Sequence, residues 1–251
     1  MNDTLLLDPV RVLRGPGHSV QLGAVLINQG VLVGFDDEAR QQALGLGIKA
    51  RPAADQLVAP CLVDPHSVLE TPFSGDQETA VSLRHCAAAG GYGQIALLPR
   101  SSSWRDRPER LQGFSLDQDQ TATVRLHLWG GFSSGGKGDE VAPHGDLLEH
   151  GAIGLADDDA MVPAPLLERG LLLGEMGGCP VLVAPRDPTL QGEGLVREGV
   201  ETLRAGWPAD PVTSETLPLG QVLLLHQRHP ERQLRLMNLS TAAAVQQLSG
   251  C

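Results

Sequence analysis

The sequence predicts an α/β protein in which a small β module precedes a series of βα units on a parallel sheet. Three observations predict it. Short apolar runs of the kind that form buried strands recur at Leu57–Asp64, Gln94–Pro99, Val124–Trp129, Ile153–Ala156, Val181–Ala184 and Gln233–Asn238. Stretches with helical character separate them, over 78–89, 144–150, 164–177, 195–205 and 215–229, with Gly90-Gly91 and Gly177-Gly178 as stops. Strands alternating with helices are the signature of a parallel sheet covered by its own crossovers. Upstream of residue 57 the chain reads differently, as short β runs separated by turns.

In that upstream part, Leu5-Leu6-Leu7 and Val10–Leu13 are strand-like, and Gly23–Phe35 forms a hairpin that turns at Asn28-Gln29-Gly30. Residues 37–48 predict one amphipathic helix, and Arg51–Asp55 reads as a linker. The expected domains are 1–57 and 58–251. A closed (β/α)8 TIM barrel takes about 250 residues by itself. The second domain is shorter than that and offers six strands, so the expected fold is an incomplete barrel of about six βα units. Ending at Cys251, one or two turns into the helix after the sixth strand, it also reads as a truncated copy of a longer protein.

Of the 251 residues, 41% are hydrophobic, 20% charged and 3% aromatic, which excludes disorder and collagen. No run approaches the roughly 18 apolar residues of a membrane span, and Met1–Val10 lacks the basic and apolar regions of a signal peptide. A cytoplasmic location is expected. Nineteen Lys and Arg against thirty Asp and Glu give a net charge of −11, with scattered cations, so nucleic acid and anionic membranes are excluded as partners. The four cysteines, Cys61, Cys86, Cys179 and Cys251, form no CxxC pair, and reduced thiols are expected.

Parallel α/β sheets place ligands at the carboxyl ends of their strands. The first such end reads Asp64-Pro-His66-Ser-Val68-Leu-Glu70. His66 would share a strand face with a second histidine two residues on, the arrangement that presents two imidazoles to one metal, but that position is Val68. Here the chain resembles the dihydroorotases of the amidohydrolase superfamily, whose first strand ends D-x-H-x-H-L-R-E-P-G. Four further segments carry the resemblance: Ala87–Pro99 is similar to A-A-A-G-G-x-T-x-V-x-x-M-P-N, and Gly151–Asp158 to G-A-x-x-F-S-D-D-G. Val181–Pro188 is similar to V-x-V-H-x-E-D-P, and Leu236–Ala242 to x-x-H-x-S-T-A. Gly23–Gly34 resembles the family's N-terminal β-sandwich hairpin.

The resemblance implies a barrel of the metal-dependent hydrolase type with an N-terminal β-sandwich segment, and zinc-dependent cyclic amidohydrolase ancestry. It also implies that much of the site is degenerate. His66 matches the first metal histidine, and Asp157 or Asp158 the metal carboxylate, as remnants. Val68, Ala184 and Asn238 stand at histidine positions, Glu70 at the arginine that binds substrate carboxylate, and Arg100 at the substrate asparagine. One imidazole and one carboxylate fall short of the three ligands a catalytic zinc requires, so no cofactor is expected, with zinc as the alternative. The resemblance then implies a non-catalytic chain in pyrimidine biosynthesis, a scaffold or regulatory subunit of aspartate carbamoyltransferase. The alternative is a cyclic-amide hydrolase with a reduced or relocated site. Unclosed sheet edges predict self-association, as a homo-oligomer.

Three further patterns are weaker. Gly131-Phe-Ser-Ser-Gly-Gly-Lys137-Gly138 nearly spells a phosphate loop, but Gly138 stands where a hydroxyl should bind Mg²⁺. His226 and His229 are three apart on an expected helix, where cations complement its C-terminus. Arg125, His127 and Trp129 alternate with Val124, Leu126 and Leu128, and the sequence does not say which set faces the lumen.

Overall fold

The computed structural model of the chain describes residues 4–69, 78–100, 104–115, 124–158 and 161–250. It divides into two compact units, Met1–Leu62 and Val63–Cys251.

The first unit contains β1 (Thr4–Val12), β2 (Gln21–Asn28), β3 (Val31–Phe35), α1 (Asp36–Gly45) and β4 (Ala50–Val58), in a sheet of order β3-β2-β1-β4. β1–β2 and β2–β3 are antiparallel and β4 runs parallel to β1. The expected hairpin turn is present, with Gln29 (φ 50°) and Gly30 (φ 77°) both left-handed, the backbone that matches strand twist in a two-residue turn. One sheet face packs Leu6, Ala24 and Leu26 against Ala39 and Ala43 of α1, while Leu7, Val10, Val12, Val25 and Ala53 form the core of the other. The linker expected at Arg51–Asp55 is instead the middle of β4. Its side chains are mostly exposed, so it lacks an apolar signature, and pairing with β1 makes it a strand.

The second unit comprises β5 (Leu62–Ser67), α2 (Ala80–Ala89), β6 (Tyr92–Leu97), α3 (Pro108–Ser115), β7 (Arg125–Gly131), α4 (His144–Glu149), β8 (Ala152–Ala156) and α5 (Ala164–Leu173). Then come β9 (Val181–Val183), α6 (Pro188–Gln191), β10 (Val196–Arg197), α7 (Val200–Ala205), β11 (Ala209–Asp210), α8 (Thr213–Arg228), β12 (Leu234–Leu236) and α9 (Ala242–Ser249). All six expected strands are present, in a curled half-barrel sheet of order β12-β9-β8-β7-β6-β5. Register is parallel from β6 through β7, β8 and β9 to β12, and Leu98 N–H donates to the Ser67 carbonyl at 2.9 Å beside β5.

Several boundaries differ from expectation. The first strand starts at Leu62, because Leu57 and Val58 belong to β4. α5 stops at Gly174, whose left-handed backbone (φ 70°) ends the helix before Gly177. The helix expected over 195–205 shortens to α7, because β10 pairs with β11 in a separate two-stranded sheet. α3 and α6 were not expected. α2 begins at Ala80, two residues later than expected, behind a reciprocal cap between Thr79 and Ser82, and stops at Gly90 as expected.

The two faces of the half-barrel are packed differently. Ile95, Leu97, Leu126, Leu128, Leu155, Val181 and Val183 meet Leu147, Leu167, Leu171 and Val222 from the helices. The opposite, concave face gathers Ala96, Leu98, Trp129, Ala156, Leu182, Ala184 and Met237, with Val68 and Ile153 against them. This settles the alternation on β7: Leu126 and Leu128 face the helices, and Trp129 faces the lumen. Among the described residues no helix is long and apolar enough to cross a membrane.

Candidate functional site

The carboxyl ends of β5 to β9 and β12 converge on the region where the sequence placed its candidates. His66 lies near the end of β5, half-buried, with its backbone N–H donating to Asp64 Oδ1 at 3.2 Å. Val68 packs into the apolar concave cluster, as does the buried Ala184 just beyond β9. Asn238 follows β12 in a left-handed backbone (φ 60°). Glu70 lies outside the described residues.

Trp129 dominates this face. Its Nε1 donates to the Pro65 carbonyl at 2.8 Å, and its ring lies against the backbone of β8 at Gly154. A Cβ at Gly154 would sit 2.5 Å from the ring, so only glycine allows the indole this position. The centre of the concave face is therefore packed with an aromatic ring and aliphatic side chains.

The two remnant carboxylates are both engaged. Asp157 Oδ1 accepts from the backbone N–H groups of Phe132 and Ser133, each at 2.9 Å, and Oδ2 accepts from Ser133 Oγ at 2.5 Å. Burial pushes its carboxyl above the ordinary range, against the pull of these three hydrogen bonds. Its role in this arrangement is to anchor the loop after β7. Asp158 pairs with Arg100 at 3.2 Å. Among the described residues no group of three or more His, Cys, Asp or Glu side chains is placed to hold a metal ion. Among the described residues His66 and Asp157 supply two donors where a catalytic zinc takes three protein ligands.

Two arrangements carried no sequence signal. Arg105 is buried between β6 and β7, donating through Nε to the Trp129 carbonyl (3.0 Å) and through an Nη to the Leu97 carbonyl (2.6 Å). Desolvation lowers its guanidinium to about 9, which leaves it charged at neutral pH. Glu215, on α8 and 1% exposed, accepts from Ser240 Oγ (2.7 Å), Thr241 Oγ1 (2.6 Å), both of their backbone N–H groups, and Arg197 (2.7 Å). Burial opposes its ionisation, but the hydrogen bonds from Thr241 and Ser240 together outweigh it and hold the carboxyl below its usual value. The Ser-Thr pair lies in a segment the sequence singled out; the glutamate that organises it could be found only in three dimensions.

A cavity of about 230 Å³ opens at the ends of β9 and β12, lined by Ala184, Arg186, Arg197, Met237, Asn238 and Ser240 among others. His226 and His229 do not form a paired site: His226 is on α8, whereas His229 is its buried C-terminal cap.

The fold is a half-barrel, an architecture shared with part of several solved hydantoinases. Solved structures with this fold include L-hydantoinase from Arthrobacter aurescens, with TM-score 0.69 and 17% identity, covering 100% of this chain and 57% of that one. A D-hydantoinase gives TM-score 0.71 and 17% identity over 98% of this chain and 54% of that one. No family model matches the chain. In sequence it is 32% identical over 216 residues to a probable dihydroorotase-like protein of Synechocystis sp., covering 78% of this chain and 49% of the relative. It is 29% identical over 200 residues to the dihydroorotase of Pelotomaculum thermopropionicum, covering 79% and 46%. The chain is a homologue of the dihydroorotases and dihydroorotase-like proteins, and it spans about half the length of these curated relatives.

Proposed function

We propose that this chain is a non-catalytic, cytoplasmic dihydroorotase-like protein that acts in pyrimidine biosynthesis as a scaffold or regulatory subunit, with aspartate carbamoyltransferase as its partner. The observation that carries this reading is the apolar packing of Val68 and Ala184 beneath Trp129. Two positions that the motifs match to metal-binding imidazoles are committed to a hydrophobic cluster, and water-activating metal chemistry needs convergent polar ligands there. The test has two arms. Purified chain should show no dihydroorotase turnover and substoichiometric zinc, and tagged chain should co-purify aspartate carbamoyltransferase from native extract. One zinc per chain that is lost in His66→Ala, together with turnover, would refute the reading.

The 230 Å³ cavity favours a second reading, a cyclic-amide hydrolase with a relocated site. It lies at strand ends and combines the apolar Met237 and Ala184 with polar Asn238 and Ser240. Hydrolysis of a cyclic amide that is lost in Asn238→Ala would favour this alternative.

A further inference from the structure

The Gly131–Gly138 loop resembles a phosphate loop in sequence, yet its backbone cannot act as one. The N–H of Gly135 donates to Asp106 Oδ2 at 2.7 Å, and that of Gly138 to Ser133 Oγ at 3.3 Å. Those of Gly136 and Lys137 donate to the Ser133 and Ser134 carbonyls. A phosphate cradle needs these amides free to point at the ligand, and here each is bonded within the protein. The loop is instead a rigid mount, anchored by Asp106 at its apex and by Asp157 at its base. What it presents outward is the exposed side chain of Lys137, which has no hydrogen bond or ion pair within the described structure.

Lys137 stands at a cavity of about 460 Å³ between the loops that follow β7 and β8. That volume falls within the roughly 300–1,000 Å³ of small-molecule sites. Its apolar wall is formed by Trp104, Met161, Val162, Pro163 and Pro188. The shape depends on two glycines with left-handed backbones. A Cβ on Gly136 would lie 2.9 Å from the Trp104 ring, and one on Gly138 2.9 Å from Pro163. Trp104 is itself fixed by donating Nε1 to the Ser133 carbonyl at 3.0 Å.

We infer that this cavity binds a small organic monoanion with an apolar body, an aryl or branched-alkyl monocarboxylate, whose carboxylate pairs with Lys137. The apolar wall selects the body, and one ammonium supplies one charge-assisted contact. Asp157 and Asp158 line the same cavity, but their charges are already met by the loop amides with Ser133 and by Arg100. Among the residues lining it, Lys137 is therefore the one cation left for a ligand, and the engaged amides exclude a phosphate cradle. The cavity includes the remnant carboxylates Asp157 and Asp158, whereas Lys137 and the apolar wall lie apart from the Trp129 cluster, so ligand binding there is read without reference to turnover.

The test is calorimetric titration of the full chain with phenylacetate and its neutral isostere phenylacetamide. Phenylacetate should bind one site per chain, and phenylacetamide about tenfold more weakly. Lys137→Met, at an exposed position where folding is checked by the melting transition, should reduce phenylacetate to the level of the amide and leave the amide unchanged. Arg186→Gln, in the cavity at β9 and β12, should change neither. The inference is overturned if neither compound saturates, if acid and amide bind equally, or if Arg186→Gln removes binding while Lys137→Met does not.

Discussion

The indole Nε1 of Trp129 on β7 donates to the carbonyl of Pro65 on β5, two strands away across β6. On a flat sheet two strand spacings, about 9–10 Å, would separate them. The curl of the half-barrel closes that gap and lets one side chain staple the edge of the sheet from its concave side. Truncating it leaves a cavity at the centre of the cluster with Val68, Ala184 and Met237. Trp129→Ala should cost about 3–5 kcal/mol in urea unfolding. Gly154→Ala should also destabilise, since its methyl group would meet both the indole and the Pro180 carbonyl.

Restoring one histidine should not restore a metal site. Val68→His places an imidazole beside an apolar cluster while Ala184 and Asn238 remain. Zinc should stay substoichiometric by elemental analysis, turnover should stay at background, and stability should fall by about 1–3 kcal/mol.

Stability should decline in two steps as pH falls. His144, 1% exposed, is held by burial below its ordinary pKa, with its Nε2 2.8 Å from the Phe132 carbonyl. A lowered folded-state value means stability that is present above about pH 6.5, the unfolded value, and lost as pH falls through the folded one. Glu215 has the same sign at lower pH: its contribution is present above the ordinary glutamate value of about 4.3 and is lost as pH falls through its depressed folded value. Denaturant midpoints across pH 3–7.5 report both steps, and His144→Gln should abolish the first alone.

Removing the buried carboxylate should be severe. Glu215→Ala leaves the Ser240–Thr241 hydroxyl and amide donors without their acceptor and removes one of the two carboxylates paired with Arg197, which keeps Asp210, at about 3–5 kcal/mol. Glu215→Gln should be milder, because the amide oxygen keeps part of the acceptor set, and the ratio of the two by thermal melting measures how much is charge.

Self-association should run through β3. This outer strand exposes Val31, Leu32 and Val33 and carries no charge between Asn28 and Phe35. Leu32→Lys should shift the chain toward monomer in sedimentation velocity, since a charge on an edge strand blocks pairing. An unchanged distribution would place the contact elsewhere.

The central strands β8 and β9 were legible because they are buried on both faces, so each appears as a continuous apolar run. The same property hid the orientation of β7: Leu128 and Trp129 are both buried, and only the packing separates the helix face from the lumen. β4 was illegible for the opposite reason, since its exposed Arg51 and Asp55 carry no apolar period. At the site, motif matching located His66, Val68, Asp157, Ala184 and Asn238 at or near strand ends. It could not show that Asp157 serves a loop, because those partners lie 24 and 25 positions away. Arg105 shows the same limit, since an arginine satisfied by carbonyls looks like any surface arginine in sequence.

Glu215 gathers the backbone N–H groups of Ser240 and Thr241, 25 and 26 residues downstream, onto the first turns of α8. Those two amide protons are freed when the hydrogen bonds between α8 and the segment after β12 open. Their hydrogen–deuterium exchange rates therefore measure the opening of the β12 end of the sheet as a unit, independently of whole-chain unfolding. If that end forms last, both amides will be the latest to gain protection in a pulse-labelling experiment, because their acceptor must already be docked before they can be covered.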